Sequence, residues 1–263
     1  RRIVRENLED AAAEGIDYIE LRFSPRFMAE EHGLDTLAVA DAACDALSEA
    51  GNAADAAGRI PVRAKLIVII SRHYGPEAGF LELEAAIRCR DRGVVALDLA
   101  GDEAGFPGEL FVEHFRKARQ AGLHVIAHAG EAAGAASVRQ AVLELGAERI
   151  GHGVRSIEDP DVLDLLDERR IPLEVCPTSN LHTSTFPDYR SHPLPFLLRR
   201  GLAVNLNTDD PSISGIDLAH EYRVAREELG LSETELRRLQ ENAVAAAFLT
   251  AEERAELLEM VDD

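Results

Sequence analysis

Leu66-Ile67-Val68-Ile69-Ile70 is an unbroken apolar run in which every residue but the first is β-branched. A strand with one face in water alternates polar and apolar residues. A strand covered on both faces stays apolar throughout, as in parallel sheets flanked by helices. On either side of this run the pattern repeats, and strands are expected at residues 16–24, 62–70, 94–101, 124–130, 149–153, 172–179 and 203–210. Amphipathic helices lie between them. In 137–145, for example, Val138, Ala141, Val142 and Leu145 share one face, and Asp159-Pro160 opens another helix with Pro suited to its first position. Strand ends from Ser24 to Asp210 recur about every 31 residues, the repeat of an α/β fold of the TIM (β/α)8 barrel type with about 250 residues. Seven strands are expected where eight would close the barrel. A doubly wound open sheet would carry a Gly-rich phosphate loop after its first strand, and Phe23-Ser24-Pro25-Arg26 is not one. No Pro/Gly/Ser linker or low-complexity block interrupts the alternation, so residues 1–263 read as a single domain. Ser232-x-x-Glu235 and Thr250-x-x-Glu253 are capping boxes, and residues from about 217 to 263 read as a helical cap.

The 263 residues carry 28 basic and 48 acidic side chains, a net charge of −20. Nucleic-acid binders neutralise phosphates with clustered Lys and Arg, so this charge argues against nucleic acid and anionic membranes as partners. With 46% hydrophobic residues there is material for a core, and disorder is not expected. No uncharged apolar stretch reaches the roughly eighteen residues of a membrane span, and the N-terminal Arg1-Arg-Ile-Val-Arg-Glu6 lacks the apolar centre of a signal peptide. Cys44, Cys89 and Cys176 are odd in number and far apart, which suits a reducing compartment better than a disulfide framework. A soluble, cytoplasmic protein is the expectation.

Polar residues gather where the strands end: Asp98-Leu-Ala-Gly101-Asp102-Glu103, His128-Ala-Gly-Glu131, Gly151-His152-Gly153, Cys176-Pro-Thr-Ser-Asn180 and Asn207-Thr-Asp209-Asp210-Pro211. In a barrel that is the catalytic face. Placing His, Glu or Asp at the end of an apolar run costs desolvation unless a metal or substrate compensates it. Two imidazoles at neighbouring strand ends with an Asp pair suit one metal ion. Neutral imidazole and carboxylate are good zinc ligands, and an open coordination position lowers the pKa of water toward ~7. Glu131 would protonate a ring nitrogen or leaving group, and His152 would hold or deprotonate the water. A binuclear site bridged by a carboxylated lysine is excluded, because the only lysines, Lys65 and Lys117, fall at a strand start and in a helix. The short zinc signature H-x-E with P-C-x-x-C is absent too.

Together with Tyr18-Ile-Glu-Leu-Arg-Phe-Ser-Pro25, these blocks resemble the adenosine deaminase family in order and strand placement over nearly the whole chain. The resemblance implies a barrel of the metal-dependent hydrolase type that converts adenosine or deoxyadenosine to the inosine product with release of ammonia, using one Zn2+ per site. It implies that His128 binds zinc, Glu131 protonates purine N1 and His152 orients the hydroxide on zinc. It also implies that Asp209 binds zinc and that hydroxide, Asp210 hydrogen-bonds N7, and the Gly101 backbone serves N3. The partner implied is a small purine nucleoside. Family members carry a His-x-His pair at the end of the first strand; none occurs here, and residue 1 is Arg rather than Met. The expectation is that the gene continues upstream by at least one βα unit, roughly 30 residues, with a strand ending in that pair. The barrel would then be N-terminally incomplete in this chain, inactive as written, with an open slot beside residues 16–24 and weak or absent metal.

Two other functions stay open, deamination of adenine or a modified adenosine, and purine binding by a non-catalytic barrel. Arg149-Ile-Gly-His-Gly153 and Asn207-Thr-Asp-Asp210 resemble the nucleoside branch, and intact His128, Glu131, His152 and Asp209 count against a loss of catalysis. Taken singly, either His would fit a hydrogen-bonded core position, and Asp209-Asp210-Pro211 a strand-ending turn. Asp102 and Glu103 read as solvated acids, His124 as structural near a buried entrance, and Cys176 as a small buried filler. His32, His73, His182 and His192 read as loop residues without a role, and the acidic run 252–263 as a solvated helix face with its tail.

Overall fold

The computed structural model describes residues 1–51 and 62–262. The chain divides into two compact units, Arg1–Ile126 and Ala127–Asp263.

In the first unit, β1 (Tyr18–Phe23), β2 (Arg63–Ser71) and β3 (Val94–Ala100) are parallel neighbours in chain order. Tyr18 pairs with Arg63 and Phe23 with Val68; Leu66 pairs with Val94, and the register then shifts so that Ile67 meets Ala96. Leu66, Ile67 and Val68 are all fully buried although they point to alternate faces, so β2 is covered on both sides as its apolar run requires. Helices Thr36–Gly51 and Gly75–Cys89 flank it. Ser24 ends β1 and caps helix Pro25–Glu30, its Oγ accepting from Phe27 N at 3.1 Å. β4 (His124–Ala129) carries the boundary between the units.

In the second unit, β5 (Arg149–His152), β6 (Leu173–Val175) and β7 (Val204–Leu206) are again parallel neighbours, with Gly151 opposite Glu174 and Glu174 opposite Asn205. Seven strands are found among the described residues, as expected, in the alternation that builds a (β/α)8 barrel. Asp159 caps helix Pro160–Glu168, accepting from Asp161 N at 2.9 Å. Both expected capping boxes form. Glu235 N donates to Ser232 Oγ and Ser232 N to Glu235 Oε2, and Thr250 and Glu253 exchange the same pair of bonds. They open helices Glu233–Ala246 and Ala251–Asp262. The buried Arg149 ties β5 outward: it pairs with Glu174 at 3.0 Å, lies 3.9 Å over the Phe248 ring, and donates to Ala246 O at 3.0 Å.

Three expected elements change. The strand at 172–179 stops at Val175, because Pro177 occupies the first turn of a helix, Pro177–His182, that takes Ser179 and Asn180 with it. The strand at 203–210 stops at Leu206, and Asp210 precedes a short helix, Pro211–Ser214. The helix at 137–145 begins at Ala135 and loosens into a π-type turn over Ala141–Leu145. No helix is long and apolar enough to cross a membrane among the described residues, and Asp263, the last of the acidic run, lies outside them.

Candidate active site

The second unit brings His128 near the end of β4, His152 at the end of β5 and Asp209 beyond β7 together. One donor atom from each lies within 4.8 Å of the others. The two imidazole rings meet edge to face, with centroids 5.2 Å apart and planes at 64°. Gly151 makes room for this, since a Cβ there would lie 2.9 Å from His128 Cγ. The backbone is strained at two of the three donors. His152 and Asp209 both have φ of 60°, a left-handed conformation that costs a residue with a side chain about 1–3 kcal/mol and persists only where its surroundings impose it.

Around His152, which is 2% exposed, two carboxylates converge. Its Nε2 lies 3.4 Å from Glu131 Oε2 and 3.7 Å from Asp209 Oδ2. Glu131 Oε1 accepts from Asn180 Nδ2 at 3.1 Å and from Thr183 Oγ1 at 2.9 Å, and Ser179 Oγ donates to Asp209 Oδ2 at 2.8 Å. Burial and the neighbouring Asp209 charge push the Asp210 carboxyl up, against a smaller opposing pull from His128. The helix carrying Ser179 and Asn180 is held in turn by buried Glu221, which accepts from Thr178 N at 3.0 Å. Burial raises that carboxyl to about 7.

Of the expected site residues, His128, Glu131, His152 and Asp209 gather here, with Asp210 next in sequence. Gly101 belongs to the first unit, where it follows β3 with φ of 99°; a Cβ there would lie 3.3 Å from His73 Nδ1. Ser179, Asn180, Thr183 and His192 were not expected to contribute. His192 lies in a loop, as expected, but is buried, with Nε2 3.2 Å from Asn180 Oδ1. Glu103 is 5% exposed and so not a solvated acid; it sits by the buried Arg72 guanidinium and opposes the downward pull of burial on it. Asp102 is exposed as expected and accepts from Gly105 N. His124 is exposed at the start of β4, not near a buried entrance, and His73 and His182 lie in helical turns. Cys176 is the buried filler expected.

Parallel β/α units with imidazole and carboxylate donors at their strand ends define the class, a metal-dependent hydrolase on a (β/α) barrel. The family model described as adenosine deaminase matches residues 1–263. The adenosine deaminase of Edwardsiella ictaluri is 51% identical over 254 residues, which cover 97% of this chain and 74% of that protein. Among solved structures, an amidohydrolase from Burkhoderia ambifaria with bound Zn gives a TM-score of 0.89 at 28% identity, covering 99% of this chain and 72% of that one. An adenine deaminase from Arthrobacter aurescens gives 0.87 at 29%, covering 99% and 77%. The chain belongs to the adenosine deaminase family.

Proposed function

We propose that this protein hydrolyses adenosine and deoxyadenosine to inosine and deoxyinosine with release of ammonia, a step of purine salvage. Water adds at C6, a C6–O bond forms, the C6–N6 bond breaks, and the amino nitrogen leaves as ammonia. The observation that carries this reading is the convergence of the Glu131 and Asp209 carboxylates on His152, beside His128, in a chain 51% identical to a named adenosine deaminase.

Imidazole nitrogen and carboxylate oxygen within 4.8 Å of one another fit a small divalent cation of zinc's preferences. His128 and Asp209 would hold one zinc ion per site. When bound, zinc lowers the pKa of water so that a nucleophile is available at neutral pH. Glu131, fixed by Asn180 and Thr183, gives a proton to purine N1. His152 orients the attacking water through Nε2, Asp210 hydrogen-bonds N7, and the Gly101 N–H donates to N3. Residues 1–263 belong to a single catalytic domain, with about 217–263 as a helical cap. The substrate is a small purine nucleoside rather than a nucleic acid, in keeping with the net charge of −20, and three cysteines, none in a disulfide among the described residues, suit the cytoplasm.

Release of ammonia with loss of purine absorbance, compared for adenosine, deoxyadenosine and adenine, tests the reading. Turnover of adenine without turnover of adenosine would overturn it.

A further inference from the structure

Asn180 has no exposed surface, and its side-chain amide meets three partners. Nδ2 lies 3.1 Å from Glu131 Oε1 and 3.2 Å from His152 Nδ1, while Oδ1 lies 3.2 Å from His192 Nε2. Two separate arguments fix which way the amide points. A carboxylate only accepts hydrogen bonds, so the amide atom facing Glu131 is the donor nitrogen. At the other end, the backbone N–H of Leu194 donates to His192 Nδ1 at 3.2 Å. That leaves the His192 proton on Nε2, so the atom facing His192 is the amide oxygen. Burial pushes the His192 pKa down to about 3, and the ring is neutral near pH 7.

The third contact then follows. An amide nitrogen has two hydrogens; one goes to Glu131 and the other to His152 Nδ1. His152 Nδ1 therefore accepts and is bare, which puts the ring proton on Nε2, the nitrogen that faces Glu131 Oε2 and Asp209 Oδ2.

We infer that Asn180 is a positioning residue that fixes the proton of His152 on Nε2 and aims the Glu131 carboxylate with the same amide group. The direction of the whole relay, from Leu194 through His192 and Asn180 to His152, is set by a backbone N–H whose proton has no other place to go. A nitrogen that carries a proton has no lone pair for a metal. Of the three clustered donors, His152 thus serves as hydrogen-bond donor and leaves His128 and Asp209 to the ion. The catalytic meaning of this arrangement rests on the deaminase reading above; the protonation pattern does not.

The test is 15N NMR of the histidine ring nitrogens in metal-free protein at one fixed pH near neutrality, because bare and protonated imidazole nitrogens resonate far apart. The wild type is expected to show His152 with a bare Nδ1 and a protonated Nε2. Asn180→Asp, nearly the same shape, replaces the donor by an acceptor and should move the proton to Nδ1. Its kcat for adenosine should fall about 10–100-fold while KM changes little. A wild-type His152 with its proton on Nδ1 would overturn the inference, as would an Asn180→Asp variant whose His152 shifts and kcat match the wild type. The wild-type spectrum requires neither a folded variant nor a substrate. If its shifts are as expected but adenine is turned over and adenosine is not, the functional reading fails and the proton assignment stands.

Discussion

Ser179 Oγ donates a 2.8 Å hydrogen bond to Asp209 Oδ2, the same oxygen that lies 3.7 Å from His152 Nε2. One hydroxyl on helix Pro177–His182 thus holds a carboxylate that sits on a strained backbone beyond β7. The same helix supplies Asn180 to Glu131, so both acids beside His152 are oriented by a single turn of chain.

Ser179→Ala should therefore weaken metal binding without unfolding the protein. Loss of a hydrogen bond that orients a ligating carboxylate typically costs about 10–100-fold in metal affinity. Competition with a chromophoric chelator reads this directly. Unchanged zinc affinity would show that Asp209 keeps its place without Ser179.

Adjacent aspartates should behave differently. Asp209→Ala is expected to lose zinc and turnover together, since one carboxylate is proposed to serve both, whereas Asp210→Ala should chiefly raise KM. Zinc content and steady-state kinetics of the two variants decide it. Full zinc occupancy with full activity in Asp209→Ala would remove that residue from the site.

For the proposed acid, Glu131→Gln keeps the shape and the contacts to Asn180 and Thr183 but has no proton to give. Zinc and nucleoside binding should survive, and kcat should drop about 10²–10⁴-fold. A near-normal kcat would mean that another group protonates the ring.

Away from the site, Glu235 accepts from Arg199 Nε at 2.7 Å and from Ser232 N at 2.8 Å, and these pull its carboxyl down to about 2. The folded value lies below the unfolded value of about 4.3, so the stabilisation is complete above that value and lost as pH falls through it toward 2. The side chain is 23% exposed, so screening keeps the pair near the range of partly exposed ion pairs, about 0.5 kcal/mol. Glu235→Gln should lower Tm slightly at pH 7, with the gap to wild type closing on acidification. A gap that widens at low pH would reverse the sign.

The strand pattern is legible because a doubly covered strand must be apolar on both faces, and Leu66 to Val68 obey that rule. The donors His128, Glu131, His152 and Asp209 are legible because polar groups ending apolar runs stand out. The helix Pro177–His182 is harder to see. Leu173–Val175 is a strand of three residues, and Cys176-Pro177 reads as its continuation unless Pro is taken as the first position of a helix. With that signal used, Ser179, Asn180 and Thr183 would have fallen on one helical turn facing the site. His192 offers no such signal. Its role depends on a contact twelve residues back along the chain, to an amide whose own orientation is set by Glu131.

The left-handed backbone at Asp209 has a consequence for anyone improving this enzyme. Its side chain is 28% exposed, so replacing it by glycine sacrifices little packing and releases a conformation that glycine adopts without penalty. A screen for thermal tolerance alone would reward that exchange and discard the chemistry with it. If Asp209 has the role proposed for it, heat resistance and turnover have to be selected together at this position, because the most comfortable residue for the chain would be the one that ends its reaction.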